Sequence, residues 1–149
     1  MDEQKPKTLV SAEENADVSR AVRQWLNAYL DKPLSKLDFE WLGEKSGLCI
    51  STIQAAYKTK QFIDGSYQAQ YQFKIIYRVP AKNADERMSA DEVLDAYGAW
   101  AEANADSLTI ADGIRVRKVK RDTAAALFAR YEGDIEDHQI LLTLIYEVI

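Results

Sequence analysis

The run from Tyr67 to Val79 alternates apolar and polar side chains, and this regularity constrains the fold more than any other stretch. Tyr67, Ala69, Tyr71, Phe73, Ile75, Tyr77 and Val79 alternate with Gln68, Gln70, Gln72, Lys74, Ile76 and Arg78. Successive strand side chains point to opposite faces, so the run is a long half-buried strand with one apolar face. Tyr57 to Ile63 is also extended in character. Between the two runs, Asp64-Gly65 supplies the positive φ values of a tight two-residue hairpin turn.

The rest of the chain must cover that apolar face. Ser11-Ala12-Glu13-Glu14 has the capping-box arrangement, and a helix begins there or at Asp17. Val18, Ala21, Val22, Trp25, Leu26 and Tyr29 form its apolar stripe, with Arg20, Arg23, Gln24 and Asn27 outward, and Asp31-Lys32-Pro33 ends it. Leu37 to Leu42 reads as a short strand, Gly43 to Gly47 as a turn and Leu48 to Ala55 as another strand. Pro80 to Arg87 reads as a polar connection. A second capping box, Ser89-Ala90-Asp91-Glu92, then opens a helix carrying Val93, Leu94, Tyr97, Trp100 and Ala101, with Asp91, Glu92, Asp95 and Glu102 on a solvated side. Three strands follow: Ile114 to Arg121, Ala124 to Tyr131 and Asp137 to Val148, the last apolar on both faces as in a central, twice-covered strand. The expected fold is α+β: an antiparallel or mixed sheet with a long hairpin and two amphipathic helices packed on it.

Residues 1–149 suit a single domain, with 1–10 a loose arm, and 47% apolar residues are enough for a real core. The net charge of −5 argues against a general nucleic-acid binder, though not against a local basic patch. Cys49 stands alone, so no intrachain disulfide is possible and a reducing, cytosolic site of synthesis is the simpler expectation. Met1 to Lys7 has no signal-like apolar core, and nowhere do about 18 apolar residues run together as a membrane helix requires.

Candidate chemistry is sparse. His138 is the only histidine and sits beside the acidic turn Glu132 to Asp137, whose spacing does not follow the calcium-loop pattern. Gly43 to Gly47 lacks the spacing of a phosphate-binding loop, and no Gly-x-Ser-x-Gly elbow selects a nucleophile. Arg115, Arg117, Lys118, Lys120 and Arg121 place five cations within seven residues of an acidic chain. They suit phosphates, although no aromatic is interleaved for base stacking, or they suit the acidic turn, with Glu132, Asp134, Glu136 and Asp137, on a neighbouring copy. Two independent solvated surfaces are the plain alternative. A third candidate is the hairpin tip: Lys58, Lys60, Gln68, Gln70 and Gln72, with Tyr67 and Tyr71 better satisfied if another surface covered them, which makes the ribbon a contact arm.

Trp41-Leu42-Gly43-Glu44-Lys45-Ser46-Gly47 and Ile63-Asp64-Gly65-Ser66, leading into Gln70-Tyr71-Gln72-Phe73-Lys74-Ile75-Ile76-Tyr77-Arg78, carry a resemblance. Together with Tyr97-Gly98-Ala99-Trp100 and the terminal Leu144-Ile145-Tyr146, they resemble a family of small phage and prophage minor capsid proteins, similar to the tail terminators of tailed phages of Gram-positive bacteria. The likeness covers Val18 to Val148. It implies a structural protein of the virion, assembled in the host cytoplasm, whose copies join in a ring, commonly a hexamer. The ring caps the tail-tube protein and docks to the head connector, while DNA passes through the lumen without being read. It implies no catalytic residue, cofactor or metal, and no membrane. On this likeness, Arg115, Arg117, Lys118 and Lys120 contribute to a subunit or partner contact or line the passage. The competing expectations are a nucleic-acid-binding accessory protein using strand 115–121 and, behind it, a small enzyme with a carboxylate site.

Overall fold

In the computed structural model, which describes residues 8–149, the chain runs β1 (Thr8–Leu9), α1 (Ala12–Asn27), β2 (Asp38–Phe39), β3 (Gly47–Gln61), β4 (Tyr67–Pro80), α2 (Ala84–Ala103), a 3-10 turn (Ala105–Ser107), β5 (Ile114–Arg121), β6 (Ala126–Tyr131) and β7 (Ile135–Val148). The alternating run is β4, and it lies in the middle of one sheet. It pairs antiparallel with β3 on one side and, from Tyr67 opposite Val148 to Pro80 opposite Ile135, with β7 on the other. The α+β expectation holds: a seven-stranded sheet, antiparallel except where β2 runs parallel to β3, carries two helices on one face.

The helical face is the core. Ala69, Tyr71, Phe73 and Ile75 of β4 and Ile140, Leu142, Leu144 and Tyr146 of β7 are fully buried there, against Val18, Val22 and Leu26 of α1 and Leu94, Tyr97 and Ala101 of α2. Burying each large side chain contributes about 1.5–3 kcal/mol before entropy is charged against it. Trp25 and Trp100 meet with ring centroids 5.2 Å apart, Tyr29 and Tyr97 at 4.7 Å, so the two helices are joined by aromatic contacts. The Ser19 hydroxyl, the Tyr71 hydroxyl and Thr52 Oγ1 form a hydrogen-bonded chain that ties α1 to β4 and β3.

The helix boundaries follow their caps. Ser11 accepts from the Glu14 N–H at 3.1 Å, so α1 starts at the earlier of the two expected positions. Glu14 does not complete the box; its carboxylate accepts instead from the hydroxyls of Tyr67 and Tyr146. The helix ends at Asn27, before Asp31, and Asn27 is turned inward to bond the Leu37 amide and carbonyl. The expected second capping box is inside α2. Asn83 is the N-cap and accepts from the Glu86 N–H at 3.0 Å, while Glu86 reaches back to the Lys82 amide at 2.7 Å. This cap comes first along the chain, so the polar connection before Ser89 is already helical from Ala84.

Several strand expectations change as well. The two extended runs before the turn are one strand, β3, whose register slips between Thr52 and Gln54, between Gln54 and Tyr57 and between Lys58 and Lys60. The turn is longer than two residues, because Gly65 has positive φ and Asp64 does not. The Gly65 N–H bonds Phe62 O and the Phe62 N–H bonds Ser66 O, a three-residue loop closed by a left-handed glycine. Thr8 and Leu9 of the expected loose arm pair with Lys58 and Tyr57, and Val10 is buried; the remainder of that arm lies outside the described residues. The Leu37–Leu42 strand shrinks to Asp38–Phe39. β5 and β6 are not hairpin neighbours: both pair with β7, β5 along Leu142–Val148 and β6 along Ile135–Gln139, as one broken edge strand.

The expected double cover of β7 is half right. Among the described residues the face opposite the helices carries no helix, and only the loop after Phe39 folds over one corner, where the Arg78 guanidinium donates to the Gly43 carbonyl. Thr143 and Ile145 are buried there all the same, flanked in their rows by Gln72 and Lys120 and by Gln70 and Lys118. Long polar side chains lay their stems over the apolar positions. No helix among the described residues is long and apolar enough to cross a membrane.

Candidate functional site

The charged residues separate into a cluster that the fold consumes and a field that it leaves open. The consumed cluster lies where β7 begins. Glu136 and Asp137 are consecutive in a strand, so they point to opposite faces. On the open face, Asp137 receives Arg78 Nε and Nη2 at 2.7 and 2.8 Å and the Tyr131 hydroxyl at 2.9 Å, and the guanidinium lies over the Tyr131 ring. The paired carboxylate raises the Arg78 pKa further above its ordinary value. On the helical face, Glu136 receives Arg87 Nε at 2.8 Å and Arg130 Nε at 3.0 Å. Burial pushes the Glu136 pKa up, but the two guanidiniums outweigh it and hold the group below the usual carboxylate range.

His138 is fully buried beside them. Its Nδ1 lies 2.8 Å from Asp91 of α2, and Nε2 faces Glu136 at 3.5 Å without a hydrogen-bond partner among the described residues. Asp95 accepts from the Ala125 amide at 2.7 Å and Glu102 from Arg121 Nε at 2.6 Å. Of the supposed solvated side of α2, Glu92 is exposed as expected, whereas Asp91, Asp95 and Glu102 pin the helix to β7, to the residue before β6 and to β5. Among the described residues, no group of three or more His, Cys, Asp or Glu side chains is arranged to hold a metal ion. The Cys49 thiol is buried, which pushes its pKa up to about 11 and keeps it protonated.

These positions correct the expected acidic interface. Glu136 and Asp137 are 1% and 2% exposed and neutralised within the chain, so only Glu132 and Asp134 of the turn face outward. Arg121 lies on the helical side, committed to Glu102. The projecting ribbon is corrected too, because β4 is paired on both sides along its length. Tyr71 is fully buried, and Tyr67 is half-buried; that burial, and then the Glu14 carboxylate it donates to, push its pKa up to about 12. Lys58 lies over the Tyr67 ring at 4.4 Å. Only the loop at the tip projects.

The open field lies on the uncovered face, toward the other end of β7. The β5 pattern Val116-Arg117-Lys118-Val119 cannot put both valines inward in a regular strand, and a bulge at Arg117 resolves it. Val116 and Val119 then sit opposite Tyr146 and Leu144, while Arg115, Lys118 and Lys120 sit opposite Glu147, Ile145 and Thr143. Arg117 reaches Glu147 at 3.6 Å, and Lys120 is 3.9 Å from Asp122. Arg115, Lys118 and, across the sheet, Lys60 have no ion pair among the described residues; Lys74 lies over the Phe128 ring at 5.4 Å.

Exposed apolar side chains stand on the β6 part of the open face, Phe128 and Tyr131, and collect at two other places. Phe62 and Ile63 form the hairpin tip, with Ile63 wholly exposed. At the far end of β3, Phe39 and Trp41 are exposed, Trp41 by 64%, beside a groove of about 420 Å³ lined by Glu40, Trp41, Leu42, Cys49, Ser51, Ile76 and Arg78. Sequence patterning finds neither patch, since it reads Phe39 and Trp41 into the strand Leu37 to Leu42 and Phe62 and Ile63 into the extended run from Tyr57, whereas the strands end earlier, at Phe39 and Gln61. No known family model matches the chain, and no curated protein matches it significantly.

Proposed function

We propose that this chain is a structural subunit of a tailed phage or prophage, of the minor capsid or tail-terminator type, whose copies close into a ring at the head-proximal end of the tail tube and present a docking surface to the head connector. The observation that carries this reading is the pair of unlike apolar patches at opposite ends of β3. From Ile50, opposite Phe39, to Gln61, beside the tip, a strand of this length spans roughly 35 Å. A tip bearing Phe62 and Ile63 at one end and a groove beside Trp41 at the other give each copy two different surfaces, as a head-to-tail contact requires, and such contacts close into rings when the rotation permits. The reading also draws on the resemblance carried by the Trp41–Gly47, Ile63–Ser66 and Gln70–Arg78 segments.

Light scattering over a concentration series, with negative-stain imaging, tests it. Closed rings should form as concentration rises. Ile63→Asp at the tip and Trp41→Ser at the groove should each abolish them while leaving the circular dichroism of the subunit unchanged. A chain that stays monomeric at millimolar concentration, or rings indifferent to both substitutions, refutes the proposal.

A further inference from the structure

We infer that the end of the uncovered sheet face beside β5 and the second half of β7 is a contact surface for the phosphate backbone of double-stranded DNA. The inference deepens the ring reading by naming the face turned to DNA, and it rests on that reading only for where the DNA comes from.

The first argument is charge. Lys60, Lys74, Arg115, Arg117, Lys118 and Lys120 come together on this face from β3, β4 and β5, with only Glu147 and Asp122 among them, in a chain of net charge −5. Each of those acids answers one cation, Arg117 and Lys120 respectively. Arg115, Lys118 and Lys60 remain unpaired among the described residues. Unneutralised like charges repel, so a field of this kind is costly unless something anionic meets it.

The second argument is what the face lacks. Beside Lys118 and Lys120, Thr143 and Ile145 are 1% and 9% exposed, so the positions between these cations are already covered from within the chain; the exposed apolar side chains of this face, Phe128 and Tyr131, and the Trp41 groove lie apart from them, level with the first half of β7. At the β5 end of the face a second protein would find lysine and glutamine and little apolar surface to desolvate, whereas the centres of protein interfaces are depleted of lysine. A polyanion needs no such centre. Its gain comes from releasing condensed counterions.

The third argument is spacing. Arg115, Lys118 and Lys120 stand opposite Glu147, Ile145 and Thr143, so the bulge at Arg117 sets them two β7 residues apart, about 6.8 Å per step. That is twice the ~3.4 Å rise between phosphates of one strand. Lys60 and Arg115 share a row with Gln68 and Glu147 between them, three strand spacings or about 14 Å across. This is close to the ~12 Å width of the major groove, so the two sides can take phosphates flanking it. No aromatic stands among Arg115, Lys118 and Lys120, which favours a duplex over a single strand whose bases must stack. Binding is therefore independent of sequence.

The test is fluorescence anisotropy with a 20-base-pair duplex of random sequence, titrated at several salt concentrations. Four phosphate contacts per bound copy, from Arg115, Lys118, Lys120 and Lys60, give a log–log slope of about −3.6, or roughly 150-fold weaker binding between 50 and 200 mM salt. Arg115→Gln with Lys118→Gln should halve the slope, leaving a change of roughly 12-fold over the same range. Arg20→Gln with Lys36→Gln, exposed cations away from this face, should leave it unchanged. No binding at 50 mM salt, equal loss with the control pair, or tighter binding to a single strand overturns the inference. Light scattering on the same samples separates it from the ring: DNA binding by a persistent monomer sinks the ring and keeps the contact surface. Rings lost together with Arg115 and Lys118 show a subunit interface and sink the contact surface.

Discussion

Replacing Asp137 by alanine should cost about 3 kcal/mol, and the reason lies in what stays behind. The carboxylate is 2% exposed and takes two charge-assisted bonds from Arg78, whose side chain is 19% exposed. Removing it leaves the guanidinium with the Gly43 carbonyl and the face of Tyr131 as its neighbours. Truncating one member of a buried ion pair costs about 3–5 kcal/mol, most of it the stranded charge, and the partial exposure of Arg78 puts this case at the low end. Tyr131 is exposed enough to turn its freed hydroxyl to water, so it adds little. Against a typical stability of about 5–15 kcal/mol the loss is large, and for a chain of this size it lowers Tm by about 6–12 °C. Urea unfolding followed by tryptophan fluorescence, with the Trp25–Trp100 contact as the reporter, measures it. The decisive comparison is Arg78→Met with Asp137→Leu. Because that pair strands no charge, it should fall within about 1 kcal/mol of the unmodified chain, well short of Asp137→Ala alone. A single substitution costing less than 1 kcal/mol, or a double one costing the sum of its parts, refutes the reasoning.

Gly98→Ala should destabilise by about 1–3 kcal/mol in the same unfolding assay, since a Cβ there would sit 2.7 Å from both Ile140 Cδ1 and Arg121 Cδ. Asn83→Ala should cost about 1 kcal/mol and lower the protection of α2 amides near Glu86 in hydrogen exchange, because the side chain caps the helix. The folded-state pKa of Glu136 lies below its unfolded value, so its contribution is present above about pH 4.5 and is lost as pH falls through the lower folded value. Stability against pH should accordingly drop less on acidification in Glu136→Gln than in the unmodified chain.

How far the fold was legible depends on whether a signal was local. β4 was read correctly because alternation is a property of neighbouring residues, and Ser11 was one of the two starts offered for α1 because a cap acts over three positions. The start of α2 was misplaced because two capping signatures, at Asn83 and Ser89, lie six residues apart on the chain, and only the first one meets the end of β4. Nothing local separates successive hairpins from a broken edge strand, so three consecutive strands in the sequence do not reveal that β5 and β6 both run along β7. The charged residues were legible as types and not as partners. Asp137 meets Arg78 across 59 residues and Glu136 meets Arg87 across 49, and only the sheet register brings them together.

The same register explains why contact and stability can be tested apart. Along β7 the first residues, Glu136 and Asp137, spend their charges on β4, β6 and α2, whereas on the open face Thr143 and Ile145 lie opposite Lys120 and Lys118 and offer them no charge. Arg115 and Lys118 therefore hold nothing inside the chain, and their loss exposes no buried charge. Neutralising them should leave stability within about 0.5 kcal/mol, the ordinary range for surface positions. Acidic partners of the fold, by contrast, cannot be removed without stranding a guanidinium. Arg115, Lys118 and Lys60, which answer no acid among the described residues and stand on the face no helix covers, are best accounted for by a surface outside the chain.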